Sequence, residues 1–207
     1  MLAPIRRILY AVYVMATNNT AARIARVALG ILEKEGPEAV SMRRVAEAVG
    51  ITPMAIYHHF PSREALLNTI TDREFAKLLS YMQAHALKGS VEDRVLEVLA
   101  GYVDYAFAQP RIFDFVFSRP RPGARQFPKD FRARRSPTLN PVADLLAAEM
   151  EQGFLKKDDV WEVAFALWAH VHGYVMLYRA GRVALSEKEF RKLLHRSIRR
   201  FLHGLKA

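Results

Sequence analysis

Two pairs of histidines, His58-His59 and His170-x-His172, are the side chains best suited to metal binding or acid–base chemistry. Neither spacing matches the interval of three or four residues that places two ligands on one face of a helix. The chain has no cysteine, which excludes disulfides, iron–sulfur clusters, thiolate zinc sites and cysteine nucleophiles. Nothing marks a nucleophile for a base such as His170, and there is no phosphate-cradling glycine loop. We therefore expect no metal, no cofactor and no enzymatic activity, and a reducing, cytoplasmic environment.

Basic residues outnumber acidic ones by 31 to 21, which gives the 207-residue chain a formal net charge of +10. A field of this sign favours polyanions, with nucleic acid or an anionic membrane first. Ten basic and seven acidic residues lie in residues 1–83, and most of the remaining excess lies in residues 118–137 and in the last predicted helix. This basic surface is either a solvated face, an auxiliary DNA contact or a site for an acidic ligand.

Residues 1–19 combine Arg6 and Arg7 with an apolar run at residues 8–16, a pattern similar to the start of a signal peptide. The run is too short to span a bilayer, although basic amphipathic segments also lie on membrane surfaces. A second methionine, Met15, lies within this region. We expect residues 1–19 to be an N-terminal arm or extension, with residues 1–14 frayed or an artefact of start-site choice, and we expect no membrane partner.

Apolar residues recur at helical spacing along the chain and no strand-like alternation persists, so the sequence predicts an all-α fold. Polar N-caps and glycine or proline stops set the predicted boundaries. The predicted helices, caps included, cover residues 20–34, 41–50, 52–60, 62–87, 91–108, 139–152, 158–180 and 186–202, with a short helix after Pro110. Either Asp158 or Asp159 caps the helix that ends at residue 180. Residues 118–137 contain four prolines and seven cations, which predicts a mobile basic loop.

Residues 41–60 (SMRRVAEAVGITPMAIYHHF) have the spacing of a helix-turn-helix. The small side chain of Ala46 lets the two helices approach each other, and Gly50 takes the positive φ of the turn. Ile51 and Ile56 fill the wedge between the helices, so that the second helix projects towards a DNA major groove. The alternative for these features alone is an αα-corner inside any helical protein.

Two stretches resemble the TetR family of transcriptional regulators: VSMRRVAEAVGI at residues 40–51 and IYHHFPSREALL at residues 56–67. The second stretch is the more discriminating, because generic helix-turn-helix proteins do not share it. The resemblance covers about residues 20–67 and implies a three-helix DNA-binding domain there, with a connecting helix to about residue 87. It also implies an effector-binding and dimerisation domain at residues 88–207, and a homodimer.

The resemblance assigns base and flanking backbone contacts to one group of residues and phosphate contacts to another. The first group is Thr52, Pro53, Met54, Ala55, Tyr57 and His58, and the second is Ser41, Arg43, Arg44 and Arg63. Arg63 occupies the position of the family's usual lysine, and a helix N-terminus such as that at Ser41 suits a phosphate. The recognition helix has no Arg, Asn or Gln for bidentate base contacts, so thymine-methyl contact and DNA shape must carry more of the specificity.

Residues 91–117 and 160–178 hold more aromatic side chains than packing demands, and a cavity for an apolar effector would use them. The candidate effector residues are Tyr102, Tyr105, Phe113, Phe117, Phe165, Trp168 and His172, with ordinary core packing as the alternative for each. In the family the last two helices of each subunit form the dimer interface. That resemblance implies interface positions at Trp168, Val171, Val175, Phe190, Leu194, Ile198 and Phe201.

The resemblance therefore implies a sequence-specific transcriptional regulator, a repressor released from its double-stranded DNA operator by a small, largely apolar effector. A two-fold dimer holds its recognition helices at one separation, so the operator should be an inverted repeat with half-sites about one or two helical turns apart. An activator, or an effector-independent regulator of the same fold, is the alternative.

Overall fold

The computed structural model describes the backbone of residues 3–85, 88–118 and 120–206, and the side chains from Asn19 onward apart from Val91. Ten α-helices and no strand occur in this part of the chain, which confirms the all-α prediction. They are α1 (Ala3–Glu35), α2 (Met42–Val49), α3 (Pro53–His59), α4 (Arg63–Gln83), α5 (Val91–Ala108), α6 (Pro110–Ser118), α7 (Lys129–Arg132), α8 (Asn140–Glu151), α9 (Val160–Arg179) and α10 (Glu187–Gly204). None of these described helices has both the length and the apolar composition needed to cross a bilayer.

The helices are divided between two compact units. The first unit consists of residues 1–74 and 111–121, and the second consists of residues 75–110 and 122–207. Helix α4 contributes its first half to the first unit and its second half to the second. Nearly all of α6 belongs to the first unit, although it directly follows α5 in the chain.

Local capping fixes the short helices of the first unit. The Ser41 hydroxyl accepts a hydrogen bond from the Arg44 N–H (3.2 Å) at the start of α2, and the Thr52 hydroxyl accepts one from the Ala55 N–H (3.1 Å) at the start of α3. Gly50, between these helices, has a φ of 74° in the left-handed region. The structure therefore confirms the caps and the turn predicted from the sequence.

Helix α1 packs on α2 and α3, and it buries Ile24, Ala28 and Leu32 at intervals of four residues. The sequence predicts a start at Thr20, but the helix begins at Ala3. Polar residues precede Thr20, but neither glycine nor proline does so closely, and polar residues alone do not end a helix. The side chains of residues 1–18 lie outside the described residues. The backbone of residues 3–19 is described and continues α1 as a helical extension, which differs from the frayed arm expected for residues 1–14.

The second unit contains a very close contact between α4 and α5. A Cβ atom added to Gly101 would lie 2.5 Å from the Met82 Cα atom and 2.7 Å from the Met82 nitrogen. Real Cβ atoms do not approach backbone this closely, so only glycine permits the observed distance between the helices. Gly101 thus determines how the last turn of α4 packs on α5.

Helix α4 ends at Gln83, whereas the sequence predicts an end at about residue 87. His85 lies just beyond this end. Residues 86–87 lie outside the described part of the chain. The two ring nitrogens of His85 lie 2.8 Å from Glu97 Oε2 and 2.9 Å from Asp104 Oδ2, both on α5. Two carboxylate acceptors require two N–H donors, so the imidazole in this arrangement is protonated. The other Asp104 oxygen accepts a hydrogen bond from Arg191 of α10 (2.6 Å), which connects three segments of the second unit.

The segment of residues 118–137 is more ordered than the predicted mobile loop. It contains the short helix α7, and two of its arginines pair with acidic residues outside the segment. Arg132 lies 2.6 Å from Asp159, and Arg134 makes two hydrogen bonds of 2.8 Å with Asp144. These partners lie far from the segment in sequence or follow it on α8, so composition alone does not reveal them. Arg119 lies outside the described residues.

Candidate DNA interface and effector region

Helix α3 presents one exposed face, and the opposite side holds it on the protein. Met54 is 71% exposed and Tyr57 is 49% exposed, whereas Ile56 is completely buried. His58 is exposed on the same side, because residues three and four positions apart lie on one face of a helix. Large apolar side chains that are exposed next to one another form a candidate interaction surface. This face therefore forms a surface that can enter a DNA groove.

The chemistry of this face is largely apolar. The remaining predicted base-contact residues, Thr52, Pro53 and Ala55, lie in the first turn of α3 or cap it; Thr52 and Pro53 are exposed and Ala55 is half-buried. A thioether and a phenol can contact thymine methyl groups, but they make no bidentate hydrogen bonds to base edges. The face thus offers shape and apolar contact, as the sequence predicts.

The predicted phosphate residues of α2 differ in how the protein uses them. Ser41 and Arg43 are exposed. Arg44 is also exposed, but it pairs with Glu35 through both terminal nitrogens, one at 2.9 Å, and its hydrogen bond holds the pKa of Glu35 below its ordinary value. Arg44 must leave Glu35, or share it, to bind a phosphate. Arg43 can approach one directly.

Arg63 makes hydrogen bonds to main-chain atoms of the first unit, whereas the sequence predicts a phosphate contact for it. Its Nε atom donates to the Val40 carbonyl (2.6 Å) and a terminal nitrogen donates to the Pro37 carbonyl (2.5 Å). Glu38 lies 3.7 Å away. Sequence reasoning missed this role because the two carbonyls lie more than 20 residues earlier in the chain, in the connection between α1 and α2.

Three predicted effector residues of the second unit form one hydrogen-bonded group. The Tyr102 hydroxyl lies 2.8 Å from His172 Nδ1, and the Trp168 indole N–H donates to the same hydroxyl (3.3 Å). Burial raises the pKa of Tyr102 and lowers the pKa of His172, so both groups are neutral near pH 7. The phenol accepts from the indole, and the tautomer of His172 sets which of the phenol and the imidazole donates to the other. The group can orient a ligand by hydrogen bonding without carrying charge.

An aromatic cluster continues from this group. Phe165 lies 5.5 Å from Trp168, stacks on Phe127 at 4.4 Å and meets Phe131 edge-on at 5.8 Å, measured between ring centroids. Phe127 and Phe131 were not predicted, because they lie in the segment expected to be a loop. An aromatic pair four residues apart, next to a proline, is the signal that could have identified them.

The other predicted effector residues are located elsewhere. Tyr105 is completely buried and meets Tyr81 edge-on at 5.6 Å, so it belongs to the core of the second unit. Phe113 is completely buried in α6, and its ring lies 4.8 Å from that of Phe117. These two phenylalanines belong to the first unit, so they form a separate pair from the Tyr102 group. Among the described residues, no three His, Asp or Glu side chains are arranged to hold a metal ion.

Most of the predicted dimer residues are buried within one chain. Val171, Val175, Phe190, Leu194 and Ile198 are at most 1% exposed, so they have no surface left to offer a partner. They form the packing of α9 on α10 within the second unit, and their assignment to the dimer interface is corrected accordingly. Helical periodicity identified a buried stripe but not the neighbour that covers it. Trp168 and Phe201 remain partly exposed.

The exposed face of α9 lies on the other side of the helix. It consists of the exposed Ala166, Ala169 and Leu177, of which Leu177 is 53% exposed, together with the half-buried Gly173. His170 borders this face, where its Nε2 atom lies 2.9 Å from the Ser197 hydroxyl of α10. Small residues beside an exposed leucine leave this face flat and apolar, so another helix can approach it closely.

Comparison with known proteins relates this architecture to a family. Two sequence profiles match, one for "Tetracyclin repressor-like, C-terminal domain" at residues 95–201 and one for "Bacterial regulatory proteins, tetR family" at residues 24–70. The second range contains α2, α3 and the start of α4. The first range covers slightly more than half of the chain, including α9 and most of α10.

Individual relatives agree with these profiles. The HTH-type transcriptional repressor KstR of Mycolicibacterium smegmatis is 34% identical over 97 residues, which is 47% of this chain and 48% of KstR. The nucleoid occlusion factor SlmA of Glaesserella parasuis is 28% identical over 91 residues, 44% of this chain and 45% of SlmA. The chain thus matches about half the length of these curated relatives.

A solved structure extends the likeness to nearly the whole fold. A Rhodococcus sp. RHA1 protein of unknown function is 20% identical, with a TM-score of 0.76 over 91% of this chain and 96% of that chain. The fold, the helix-turn-helix with its exposed α3 face and the two matching profiles lead to one conclusion. The chain belongs to the TetR family of DNA-binding transcriptional regulators.

Proposed function

We propose that the protein is a cytoplasmic homodimeric repressor that binds an inverted-repeat operator and is released from it by a small, largely apolar effector. The observation that carries this proposal is the exposed face of α3, where Met54 and Tyr57 stand in water on a helix anchored by Ile56. The resemblance of the chain to KstR, whose name describes a transcriptional repressor, supports the direction of regulation.

In this proposal residues 20–67 form the DNA-binding domain. Met54, Tyr57 and His58 enter the major groove, with Thr52, Pro53 and Ala55 at the start of α3 beside the adjacent backbone. The N-terminus of α2 at Ser41 and the exposed Arg43 contact phosphates, because amide N–H groups and a cation both suit an anion. Arg44 joins them when it exchanges Glu35 for a phosphate.

Residues 88–207 form the effector and dimerisation domain in this proposal. The aromatic cluster of Phe127, Phe165 and Trp168 suits an apolar ligand, and the neutral pair Tyr102–His172 supplies one polar anchor. Such a site favours an uncharged or weakly polar effector over a strong acid or base, because the two polar groups of the pair carry no charge near pH 7.

The dimer contact in this proposal uses the exposed α9 face of Ala166, Ala169, Gly173 and Leu177, with Phe201 at its margin. A two-fold arrangement brings the same face of each subunit together. Small side chains let the two copies of α9 pack closely, and Leu177 supplies apolar area to bury.

Selection of bound sequences from random duplex DNA, at two salt concentrations, tests the DNA proposal. The wild type should enrich an inverted repeat, and Met54→Ala and Tyr57→Ala should each change the preferred sequence. Phe154→Ala is the matched control, because Phe154 is 59% exposed but lies in the second unit, and it should leave the preference unchanged. Binding that is sensitive to salt but blind to sequence would contradict an operator-reading function.

The effector proposal is tested with the selected duplex. Apolar compounds that release the wild-type protein from this duplex should lose their effect on Phe165→Ala, whose DNA affinity without a compound should be unchanged. Release of both proteins at equal concentrations would place the effector site elsewhere. Failure of every compound to release the wild type would favour the effector-independent alternative.

A further inference from the structure

Arg63, the first residue of α4, holds the connection between α1 and α2. Its guanidinium makes two diverging hydrogen bonds, to the carbonyls of Val40 (2.6 Å) and Pro37 (2.5 Å). Pro37 is the first residue of the short 3-10 turn of residues 37–39, and Val40 follows that turn. Ser41, the N-cap of α2, comes directly after Val40. Backbone carbonyls that accept from a cation form short, strong hydrogen bonds, so this connection has little freedom to move.

The position of this connection decides where the DNA-facing end of α2 lies. Val40 is buried and extended, and the next residue, Ser41, caps α2 through the Arg44 N–H. A displacement of Val40 therefore moves Ser41 and the first turn of α2, including the exposed Arg43. All of these residues belong to the first unit.

The surroundings of Arg63 are unfavourable for a phosphate. Its side chain is 30% exposed, two of its nitrogens already donate to carbonyls, and the Glu38 carboxylate lies 3.7 Å from one of them. A phosphate would have to displace two hydrogen bonds and approach a carboxylate of the same charge. Arg43 on α2 offers an exposed cation without these costs.

We propose that Arg63 is a positioning residue for DNA binding, which fixes the N-terminal end of α2 to α4 and does not itself bind phosphate. The planar fork of arginine serves both carbonyls, whereas the single ammonium of lysine does not reproduce two diverging hydrogen bonds.

The salt dependence of binding to a random-sequence duplex separates positioning from phosphate contact. Each phosphate contact contributes about 0.9 to the slope of log K against log salt, measured between about 50 and 200 mM. We expect Arg63→Ala to weaken binding about tenfold, on the scale of one charge-assisted hydrogen bond, with the slope unchanged. Arg63→Lys should behave like Arg63→Ala. The matched comparison is Arg43→Ala, which should lower the slope by about one contact.

Two results would overturn the proposal. If Arg63→Ala lowers the slope by about 0.9 and Arg63→Lys restores both slope and affinity, Arg63 is a phosphate ligand. If both variants bind with wild-type affinity once corrected for the folded fraction, Arg63 has only a structural role. A lower slope in Arg43→Ala shows phosphate contact by α2, whatever the Arg63 variants do. Failure of the proposed DNA contact by α2 and failure of the Arg63 proposal therefore give different patterns.

Amide hydrogen exchange keeps the proposal testable if Arg63→Ala folds poorly. In Arg63→Lys, positioning predicts faster exchange at the amides of Arg44 and Val45, the first N–H groups that bond to Ser41, with unchanged exchange in the second unit. Unchanged exchange at both amides would contradict it.

Discussion

Replacement of His85 by glutamine should change how the stability of the protein depends on pH. Burial alone would lower the pKa of His85, but its hydrogen bonds to Glu97 and Asp104 outweigh burial and raise the pKa above its ordinary value. A raised pKa in the folded state means that the proton stabilises folding. This contribution is complete below the ordinary histidine pKa of about 6.5 and is lost as the pH rises through the higher, folded-state pKa.

The size of the effect follows from the two contacts. A hydrogen bond to a charged group contributes roughly 1.5–3 kcal/mol when well formed, whereas an exposed ion pair contributes about 0.2–1 kcal/mol. The side chains of His85, Glu97 and Asp104 are 26%, 46% and 34% exposed, which is between these two situations. We therefore expect His85→Gln to lose about 1–2 kcal/mol at low pH after allowance for solvent screening, and progressively less at high pH.

Urea unfolding of wild type and His85→Gln, from about pH 5.5 to 9, measures this difference. Burial lowers the pKa of His170 and His172, and their opposite contributions are common to both proteins and cancel. His203→Gln, at an exposed position near the end of α10, is the matched control for the loss of a histidine side chain. A difference for His85→Gln that is flat, or that grows with pH, would refute the protonated arrangement.

Two further predictions concern packing and assembly. Gly101→Ala should destabilise the protein by about 3 kcal/mol or more in thermal unfolding, since its Cβ would meet the backbone of Met82. Gly30→Ala is the control: a Cβ there would have no atom within 4 Å, so this variant should be neutral or up to about 1 kcal/mol more stable. Equal effects of the two substitutions would contradict the close contact. Leu177→Asp should weaken the proposed dimer at least about tenfold in sedimentation equilibrium, because burying a charge is costly. Leu185→Asp, at a 39% exposed leucine outside α9, should leave the dimer affinity unchanged. A Leu177→Asp protein that dimerises with wild-type affinity would exclude the α9 face.

The sequence predicts best where a structure depends on neighbours in the chain. Ser41, Gly50 and Thr52 act through hydrogen bonds and dihedral angles that span three or four residues, and the structure has them as predicted. The predicted start of α1 was wrong because no local stop signal lies near Thr20. In both cases the outcome is explained by residues adjacent in sequence.

Roles that depend on tertiary approach were harder to predict. The partners of Arg63 lie more than 20 residues away, and those of Arg132 and Arg134 lie on α8 or at the start of α9. An apolar stripe such as that containing Val171 shows that one face of α9 is covered, but either a helix of the same chain or a partner subunit satisfies the pattern. Only the packing of α10 on α9 decides between them.

Helix α3 is only seven residues long, and helices this short do not persist alone in water. The proposed DNA-contact surface therefore exists only while Ile56 is packed against the rest of the first unit. A genetic screen for loss of DNA binding should accordingly return substitutions at Ile56, Val45 and Ala46 as readily as at Met54 or Tyr57. Core and contact mutations would share one phenotype, but only the core mutations should be suppressed by lower temperature or by stabilising changes elsewhere in the unit.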